Sequence, residues 1–305
     1  MLVYNTFGGP MSSILLFLQN IRQPWLTDFL NIFVMIFNNG ILLFALTWLY
    51  WCVDKKKGRI LGLAFFFSSA AIQTLKIMFK VPRPWLYTKD LVPDSSAIAG
   101  ATGYSFPSGH SQSAASLGYT SGYLLHKSKW RWVFFIAPFI VMFSRLYFGV
   151  HTIYDVFFAY FIAIAFSIAV IKTENFSAPR VNQSGILLIL LSLVGLVFSL
   201  YQLNKGTLSL TFAHDTLVSC GAGVGFGLGI ILDYRCLNFE NPKDLIPRLL
   251  VLIFGLLSTL GIYFLGKLLP EISWLIFFRY LVLTLWVSFI YPLIFTFVRK
   301  KKSRD

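Results

Sequence analysis

The chain has 305 residues, of which 57% are hydrophobic, 18% aromatic and only 12% charged. This composition excludes an ordinary soluble domain and is typical of an integral membrane protein. The net charge of +14 does not indicate nucleic-acid binding, because the basic residues fall in separate loops without an aromatic stacking platform beside them. The three cysteines, Cys52, Cys220 and Cys236, lack the spacing of a disulfide framework or metal site, and we expect small buried thiols.

The first apolar segment, residues 11–22, is too short to cross a bilayer and is followed by Pro24. We therefore expect an interfacial helix within an N-terminal segment of residues 1–26. No basic region precedes this apolar run and no small-residue cleavage pattern follows it, so we expect no removable signal peptide.

Long apolar stretches occupy most of the remaining chain. A membrane-spanning helix needs about 20 apolar residues at a rise of about 1.5 Å per residue. Nine stretches meet or approach this length: 27–53, 59–80, 108–126, 131–148, 152–172, 184–203, 215–233, 247–266 and 272–298. The sequence therefore predicts an all-α polytopic membrane protein with about nine transmembrane helices.

Positive charge marks one side of these predicted spans. The connections after the first, third, fifth, seventh and ninth spans hold 17 of the 26 lysine and arginine residues. Because basic residues concentrate in cytoplasmic loops, the amino terminus should lie outside and the carboxyl terminus in the cytoplasm. We divide the chain into the segment 1–26, a catalytic transmembrane core of residues 27–172, and an additional four-helix region, residues 173–305, with a basic cytoplasmic tail.

Three short strings in the first half of the chain carry polar groups that are costly in a membrane. They are KIMFKVPRP, from Lys76 to Pro84; PSGH, from Pro107 to His110; and SRLYFGVHTIYD, from Ser144 to Asp155. All three fall on the predicted outer side, at the ends of apolar segments. Spans were assigned from hydropathy and sides from charge, so this agreement favours one shared outer site.

Lys76, Arg83 and Arg145 supply three cations to this predicted site. Phosphoryl transfer depends on positioning and charge neutralisation, so its catalyst needs several fixed cations around one group of oxygens. Pro82 and Pro84 should end the second span and hold Arg83 in a turn beyond it. Three cations can replace a metal ion, and no carboxylate cluster suited to Mg²⁺ accompanies them, so we expect no metal and no cofactor.

The two histidines of the strings lie at predicted helix starts. PSGH opens a helix whose N-terminal N–H groups and dipole favour a bound anion, with Ser108 adding a hydroxyl. His110 is positioned there to give a proton to a departing oxygen. His151 and Asp155 are four residues apart on one helical face, so the carboxylate can hold one imidazole nitrogen while the other attacks phosphorus.

These strings match all three signatures of the type 2 phosphatidic acid phosphatase superfamily, which the chain resembles over roughly residues 60–170. The resemblance implies that His151 is the nucleophile and forms a phosphohistidine, that His110 protonates the leaving group, and that Asp155 supports His151. It also implies five phosphate-binding residues: Lys76, Arg83, Ser108, Gly109 and Arg145.

The string SRLYFGVHTIYDV is most similar to the branch that contains the sphingosine phosphate phosphatases. Thr152-Ile153-Tyr154 stands where many bacterial members carry a proline and a small residue, so the substrate preference of those members is not carried over.

Three features lie outside these strings. The glycines at 221, 225 and 229 have GxxxG spacing, which predicts close helix packing, with a hinge or dimer seam as the alternative. His214 and Asp215 start the same predicted helix, and we expect a capping role. Arg279 lies inside the ninth span, where the alternatives are snorkelling or contact with a lipid headgroup, Glu271 or Asp215.

The sequence thus predicts an integral membrane phosphatase that hydrolyses a lipid phosphate monoester or diphosphate at the outer leaflet of a plasma or inner membrane. Phosphatidate, a phosphosphingoid base and polyprenyl diphosphate are substrates of this class. A glucose-6-phosphatase-like hydrolase of a soluble phosphate and an anion-binding transporter remain alternatives, although no inverted repeat favours a transporter. The bilayer and the lipid substrate are the expected partners, and the oligomeric state stays open.

The charge distribution generates a topology prediction. Residues 85–106, 149–151 and 204–214 should lie on one side of the membrane, opposite residues 55–59 and the carboxyl terminus. Labelling of single cysteines with a membrane-impermeant reagent measures this directly. Finding Ser95 and Lys300 on the same side would contradict the nine-span topology.

Overall fold

The computed structural model describes residues 9–36, 39–175 and 180–302. Its helices are α1 Gly9–Asn20, α2 Pro24–Ile36, α3 Asn39–Trp48, α4 Lys55–Phe79, α5 Ser95–Ile98, α6 Gly109–Leu124, α7 Arg131–Tyr147, α8 Ile153–Glu174, α9 Val181–Asn204, α10 Leu210–Leu232, α11 Leu245–Lys267, α12 Ser273–Leu285 and α13 Tyr291–Lys302. Within these ranges every regular element is helical, which confirms the all-α prediction. Residues 1–8 of the predicted N-terminal segment, 37–38 of the first predicted span and Arg304 of the basic tail lie outside the described residues.

Three π-helical turns and one 3-10 turn complete the described elements. The π-helical turns Leu49–Val53 and Asp233–Leu237 follow α3 and α10, and Trp286–Ile290 joins α12 to α13. The 3-10 turn Pro84–Leu86 lies just beyond α4.

Six helical segments of the described chain are long and apolar enough to cross a membrane: Lys55–Leu86, Ile153–Glu174, Val181–Asn204, Leu210–Leu237, Leu245–Lys267 and Ser273–Arg299. They establish a multi-pass membrane protein. The predicted third and fourth spans form helices α6 and α7, which are shorter, with 16 and 17 residues. The nine-span topology and the orientation of the termini therefore remain predictions.

Helix α4 is the centre of the bundle and packs against α6, α8, α9 and α10. Its apolar and small side chains surround the helix axis, so it can be buried on every side. Asp54 begins it by accepting hydrogen bonds from the backbone N–H groups of Lys56 and Lys57. The helix ends at Phe79, before Pro82, which places Lys76 in its last turn.

Glycines pack α10 closely on two neighbouring helices. A β-carbon at Gly221 or Gly225 would overlap the carbonyl oxygen of Phe277 or Leu281, and one at Gly229 would overlap Ser288. These glycines face α12 and the turn after it, which confirms the predicted helix packing. A second row, at 223 and 227, faces Ser192 and Gly185 of α9.

A buried ion pair joins three helices at the end of the bundle where α4 begins. Arg59 of α4 contacts Glu174 of α8 through Nη2 at 2.7 Å and Nε at 2.8 Å. Ser184 of α9 donates a hydrogen bond to the other Glu174 oxygen at 3.3 Å. The start of α4, the end of α8 and the start of α9 are therefore held together by one carboxylate.

The structure corrects the expectation for one cysteine and decides between the alternatives for Arg279, for which it shows the contact with Glu271. Cys52 and Cys220 are buried as expected, but Cys236 is exposed, because it lies in the π-helical turn where the chain leaves the bundle. Arg279 does not snorkel. Its side chain is buried, Nη2 donates to the Leu269 carbonyl at 3.2 Å, and Nη1 lies 4.0 Å from Glu271. A free carbonyl beyond the last turn of α11 needs a donor, and the guanidinium supplies it.

The glycine contacts predict a difference in thermal stability. Gly225→Ala should lower the Tm of the purified protein in detergent by several degrees, because overpacking costs about 1–3 kcal/mol. Gly261→Ala in α11 is the matched control, since a β-carbon there meets no atom within 4 Å. It should leave the Tm unchanged or raise it, because alanine favours helix over glycine. Equal Tm values for the two variants would contradict the packing role of Gly225.

Candidate active site

The three strings meet at one end of the bundle, around a cavity of about 210 Å³. Five of the predicted site residues line it: Lys76, Arg83, Gly109, His110 and His151. They come from the last turn of α4, the connection after it, the first turn of α6 and the turn before α8. Consecutive antiparallel helices bring these ends together, so residues far apart in sequence share one site.

Arg83 is fixed by main-chain oxygens. It donates to the carbonyls of Thr102 at 2.7 Å, Gly103 at 3.2 Å and Val150 at 3.0 Å. Its Nη1 also lies 3.0 Å from Nε2 of His151. The guanidinium is 4% exposed and thus keeps a defined orientation with little contact to solvent.

His151 and Asp155 form the predicted pair. Nδ1 of His151 lies 3.4 Å from Oδ2 of Asp155. The same oxygen accepts hydrogen bonds from the Ser105 hydroxyl at 2.6 Å and the Thr152 N–H at 2.7 Å. Thr152 and Asp155 also form a capping box at the start of α8, so helix formation and histidine orientation depend on one carboxylate.

The protonation of His151 follows from its surroundings. Burial, and then the charges of Arg83, Lys76 and Arg145, hold the pKa of the imidazole well below its ordinary value. The ring is therefore neutral at neutral pH. With Nδ1–H directed at Asp155, the lone pair lies on Nε2, on the side of Arg83.

Lys76 and Arg145 are buried cations as well, with exposed fractions of 5% and 2%. Arg145 stacks its guanidinium 5.0 Å from the Phe148 ring centroid and donates through Nε to the Ser144 hydroxyl at 3.2 Å. It lies behind the residues that line the cavity. Three buried cations at one end of a bundle strongly favour an anion with several oxygens.

Ser108 has a different environment from the one predicted. Its buried hydroxyl accepts hydrogen bonds from the N–H and the hydroxyl of Ser111, at 3.4 and 3.0 Å, and thereby begins α6. It is not among the residues that line the cavity, whereas Gly109 is. A β-carbon at Gly109 would lie 3.7 Å from Lys76 Nζ, so backbone and cation approach closely there.

His214 and Asp215 do not cap α10, which corrects the prediction. The helix begins at Leu210, with Ser209 preceding it, so both residues fall in its second turn. Asp215 lines the cavity, and its Oδ2 accepts a hydrogen bond from the Thr102 hydroxyl at 2.6 Å. Its Oδ1 lies 3.4 Å from His214 Nδ1.

Several site residues were missed from the sequence. Ser105 and Thr102 lie in the connection between α5 and α6, and Gln73 lies one turn before Lys76 on α4. Gln73 could have been found from its i, i+3 spacing to Lys76. The loop positions carry no such periodic signal.

Comparison with known proteins agrees with this geometry. The sequence model of the PAP2 superfamily matches residues 57–178, and the model of the PAP2 superfamily phosphatase transmembrane extension matches residues 217–303. The chain is 30% identical over 157 residues to phosphatidylglycerophosphatase B of Bacillus subtilis (strain 168), an alignment that covers 45% of this chain and 69% of the relative.

Among solved structures, a crystal structure of Aquifex aeolicus LpxE is 26% identical. The match covers 54% of this chain and 97% of that chain, with a TM-score of 0.46. The sequence matches, rather than this structural likeness, establish that the chain belongs to the PAP2 superfamily.

Proposed function

We propose that this chain releases phosphate from a lipid phosphate monoester or diphosphate, through a phosphohistidine formed on His151, at the outer leaflet of the membrane. The superfamily hydrolyses phosphate esters, and this member is a multi-pass membrane protein. The observation that carries the proposal is a neutral histidine held by Asp155 among three buried cations. A nucleophile, its orienting group and oxyanion stabilisers are then within one site.

In the first step the phosphate oxygens are neutralised by Lys76, Arg83 and Arg145. The Arg83 hydrogen bond to His151 Nε2 is exchanged for one to a phosphate oxygen, which frees the lone pair. Nε2 then attacks phosphorus, and the P–N bond forms as the P–O bond to the leaving group breaks. The electron pair of that bond goes to the leaving oxygen, which takes a proton from His110.

In the second step a water molecule attacks phosphorus. His110 takes the proton from this water, the P–N bond breaks, and its electron pair returns to His151. Inorganic phosphate is released, and both histidines regain their starting forms. Asp155 holds the ring through Nδ1 in both steps. Because three cations stabilise the transferred group, the proposal includes no metal ion.

Two observations support a lipid substrate. The relative in Bacillus subtilis is named for a phosphatase of phosphatidylglycerophosphate. In addition, the connection between α4 and α6, which contributes to the cavity, exposes the apolar side chains of Leu86, Val92 and Ile98. Apolar side chains at the end of a membrane bundle favour contact with the lipid interface. The division into a catalytic core of residues 27–172 and an additional region of residues 173–305 belongs to the same proposal.

The proposed mechanism predicts different effects for the two histidines. His151→Ala should abolish turnover and any covalent phosphoenzyme, and Asp155→Asn should lose most activity. His110→Ala should slow an alkyl phosphate by about 10²–10⁴-fold but a nitrophenyl phosphate far less, because nitrophenolate needs no proton to depart. Steady-state rates and rapid-quench trapping of the phosphoenzyme measure these effects. Equal slowing of both substrates by His110→Ala would contradict its role as the acid.

Ser105 is predicted to be a positioning residue. Ser105→Ala removes the hydrogen bond to Asp155 and should lower kcat by about tenfold, as expected for loss of about 1.5 kcal/mol, with little change in KM. Ser105→Thr keeps a hydroxyl and should restore most of kcat. Ser96→Ala is the control, because Ser96 is exposed and its hydroxyl bonds Asp94 in the same connection, outside the residues that line the cavity. A change in KM without a fall in kcat, or failure of Ser105→Thr to restore kcat, would contradict the positioning role of Ser105.

The substrate class is tested with phosphate monoesters of one headgroup and increasing chain length, kept below micelle formation. Each buried methylene contributes about 0.8 kcal/mol, so kcat/KM should rise several-fold per added carbon. The release of inorganic phosphate should persist in EDTA and be inhibited by vanadate, which imitates five-coordinate phosphorus. Equal efficiency on short and long chains would favour a soluble substrate. Activity that returned only with Mg²⁺ would contradict the metal-free mechanism.

A further inference from the structure

The cavity extends well beyond the phosphate-binding residues. Along α4 it is lined from Lys76 through Gln73 and Ser69 to Phe65, a distance of roughly 16 Å at 1.5 Å per residue. Ser113 of α6 and Ser219 of α10 line its walls. Both α6 and α10 pack on α4, with little packing between them, which leaves a cleft over α4.

The cavity is lined by both hydrogen-bond donors and acceptors. The donors include Lys76 and Arg83. Two acceptors lie where α4 faces α10. Asp215 contributes a carboxylate, and Gln73 Oε1 is buried without a hydrogen-bond partner among the described residues. A buried acceptor without a donor is costly, so this part of the cavity favours a ligand that donates hydrogen bonds.

The carboxylate of Asp215 cannot bind the phosphate group directly. A carboxylate repels a phosphate dianion, although Asp215 lies close enough to Lys76 to offset part of its positive charge. Thr102 and His214 each contact one oxygen, and the side chain still retains 33% of its exposure. A carboxylate oxygen has room for more than one donor, so lone pairs are left for a ligand.

The position of His110 indicates that this hydrogen-bond donor belongs to the leaving group of the substrate. His110 lines the same cavity, and in the proposed mechanism it gives its proton to the leaving oxygen. In an in-line displacement the group attached to that oxygen lies beside His110, opposite the attacking Nε2 of His151. Gln73, Ser113 and Asp215 line the same cavity as His110.

We infer that Asp215 and Gln73 form a specificity subsite for a hydrogen-bond donor, a hydroxyl or an amine, carried by the leaving group close to the phosphate ester. This inference rests on the proposed function, since it assigns the leaving group to the cleft. The subsite joins α4 to α10, so the region after the catalytic core contributes directly to substrate choice. Plain alkyl or prenyl phosphates, which lack such a donor, are the disfavoured substrates.

Three probes with the same acyl chain test the subsite: 2-hydroxy-3-acyloxypropyl phosphate, its 2-amino counterpart, and 3-acyloxypropyl phosphate, which lacks the donor. The unaltered protein should show a kcat/KM at least tenfold higher for one of the donor-bearing probes than for the third. Asp215→Leu should reduce this preference to less than threefold, measured as the ratio of the kcat/KM values of the probes within the same variant. Asp215→Asn should keep more of a hydroxyl preference than of an amine preference, because it retains an oxygen and loses the charge.

Glu271→Leu is the matched control, because Glu271 is an exposed carboxylate near the same end of the bundle. It should leave the preference unchanged. The Tm of each purified variant in detergent reports folding. If Asp215→Leu slowed all three probes equally, or left their ratio unchanged, the subsite would be overturned.

Binding separates this inference from the proposed function. The three probes are titrated into His151→Ala, which cannot form the phosphoenzyme, with and without Asp215→Leu. If the titrations show a donor preference that depends on Asp215, while the unaltered protein hydrolyses none of the three probes, the proposed function is overturned and the subsite is supported. If the unaltered protein hydrolyses all three probes without a donor preference, the proposed function is supported and the subsite is overturned.

Discussion

The cost of burying three cations at the end of a membrane bundle constrains the rest of the structure. Lys76, Arg83 and Arg145 lie where water solvates them little, so other groups must compensate their charge. Main-chain carbonyls hold Arg83, an aromatic ring faces Arg145, and the carboxylates of Asp155 and Asp215 lie nearby. In the proposed mechanism a phosphate group adds the remaining negative charge. Under that proposal, affinity for phosphate is a consequence of how the helices end.

The glycines of α10 have a similar consequence for the cleft. Their close contact with α9 and α12 fixes the height and rotation of α10 against its neighbours. This rotation turns Asp215 toward the cavity formed by α4 and α6. Packing outside the cavity therefore decides which polar group of α10 lines it.

Much of the site could be predicted from the sequence because its residues lie at regular spacings near helix ends. The i, i+4 relation predicted the His151–Asp155 contact, and the prolines after α4 predicted the position of Arg83. Ser105 and Thr102 could not be found this way, because the path of an irregular connection depends on tertiary contacts. Asp215 was misplaced because the predicted start of α10 was five residues late. The alternatives for Arg279 stayed open because a neighbouring helix end, invisible in the local sequence, supplies its carbonyl partner.

Because of the buried ion pair of Arg59 and Glu174, the two ends of α4 differ in how their positive charge is neutralised. At its first turn, positive charge is matched within the protein by a carboxylate that also holds α8 and α9. At its last turn, positive charge is left for a ligand to match. One end of the central helix is therefore neutralised within the protein, whereas the proposed phosphate group would complete the charge pairing at the other end. In that proposal the bound phosphate is a reversible cross-link among α4, α6 and α8, and inorganic phosphate, the proposed product, would stabilise the same arrangement that the substrate requires.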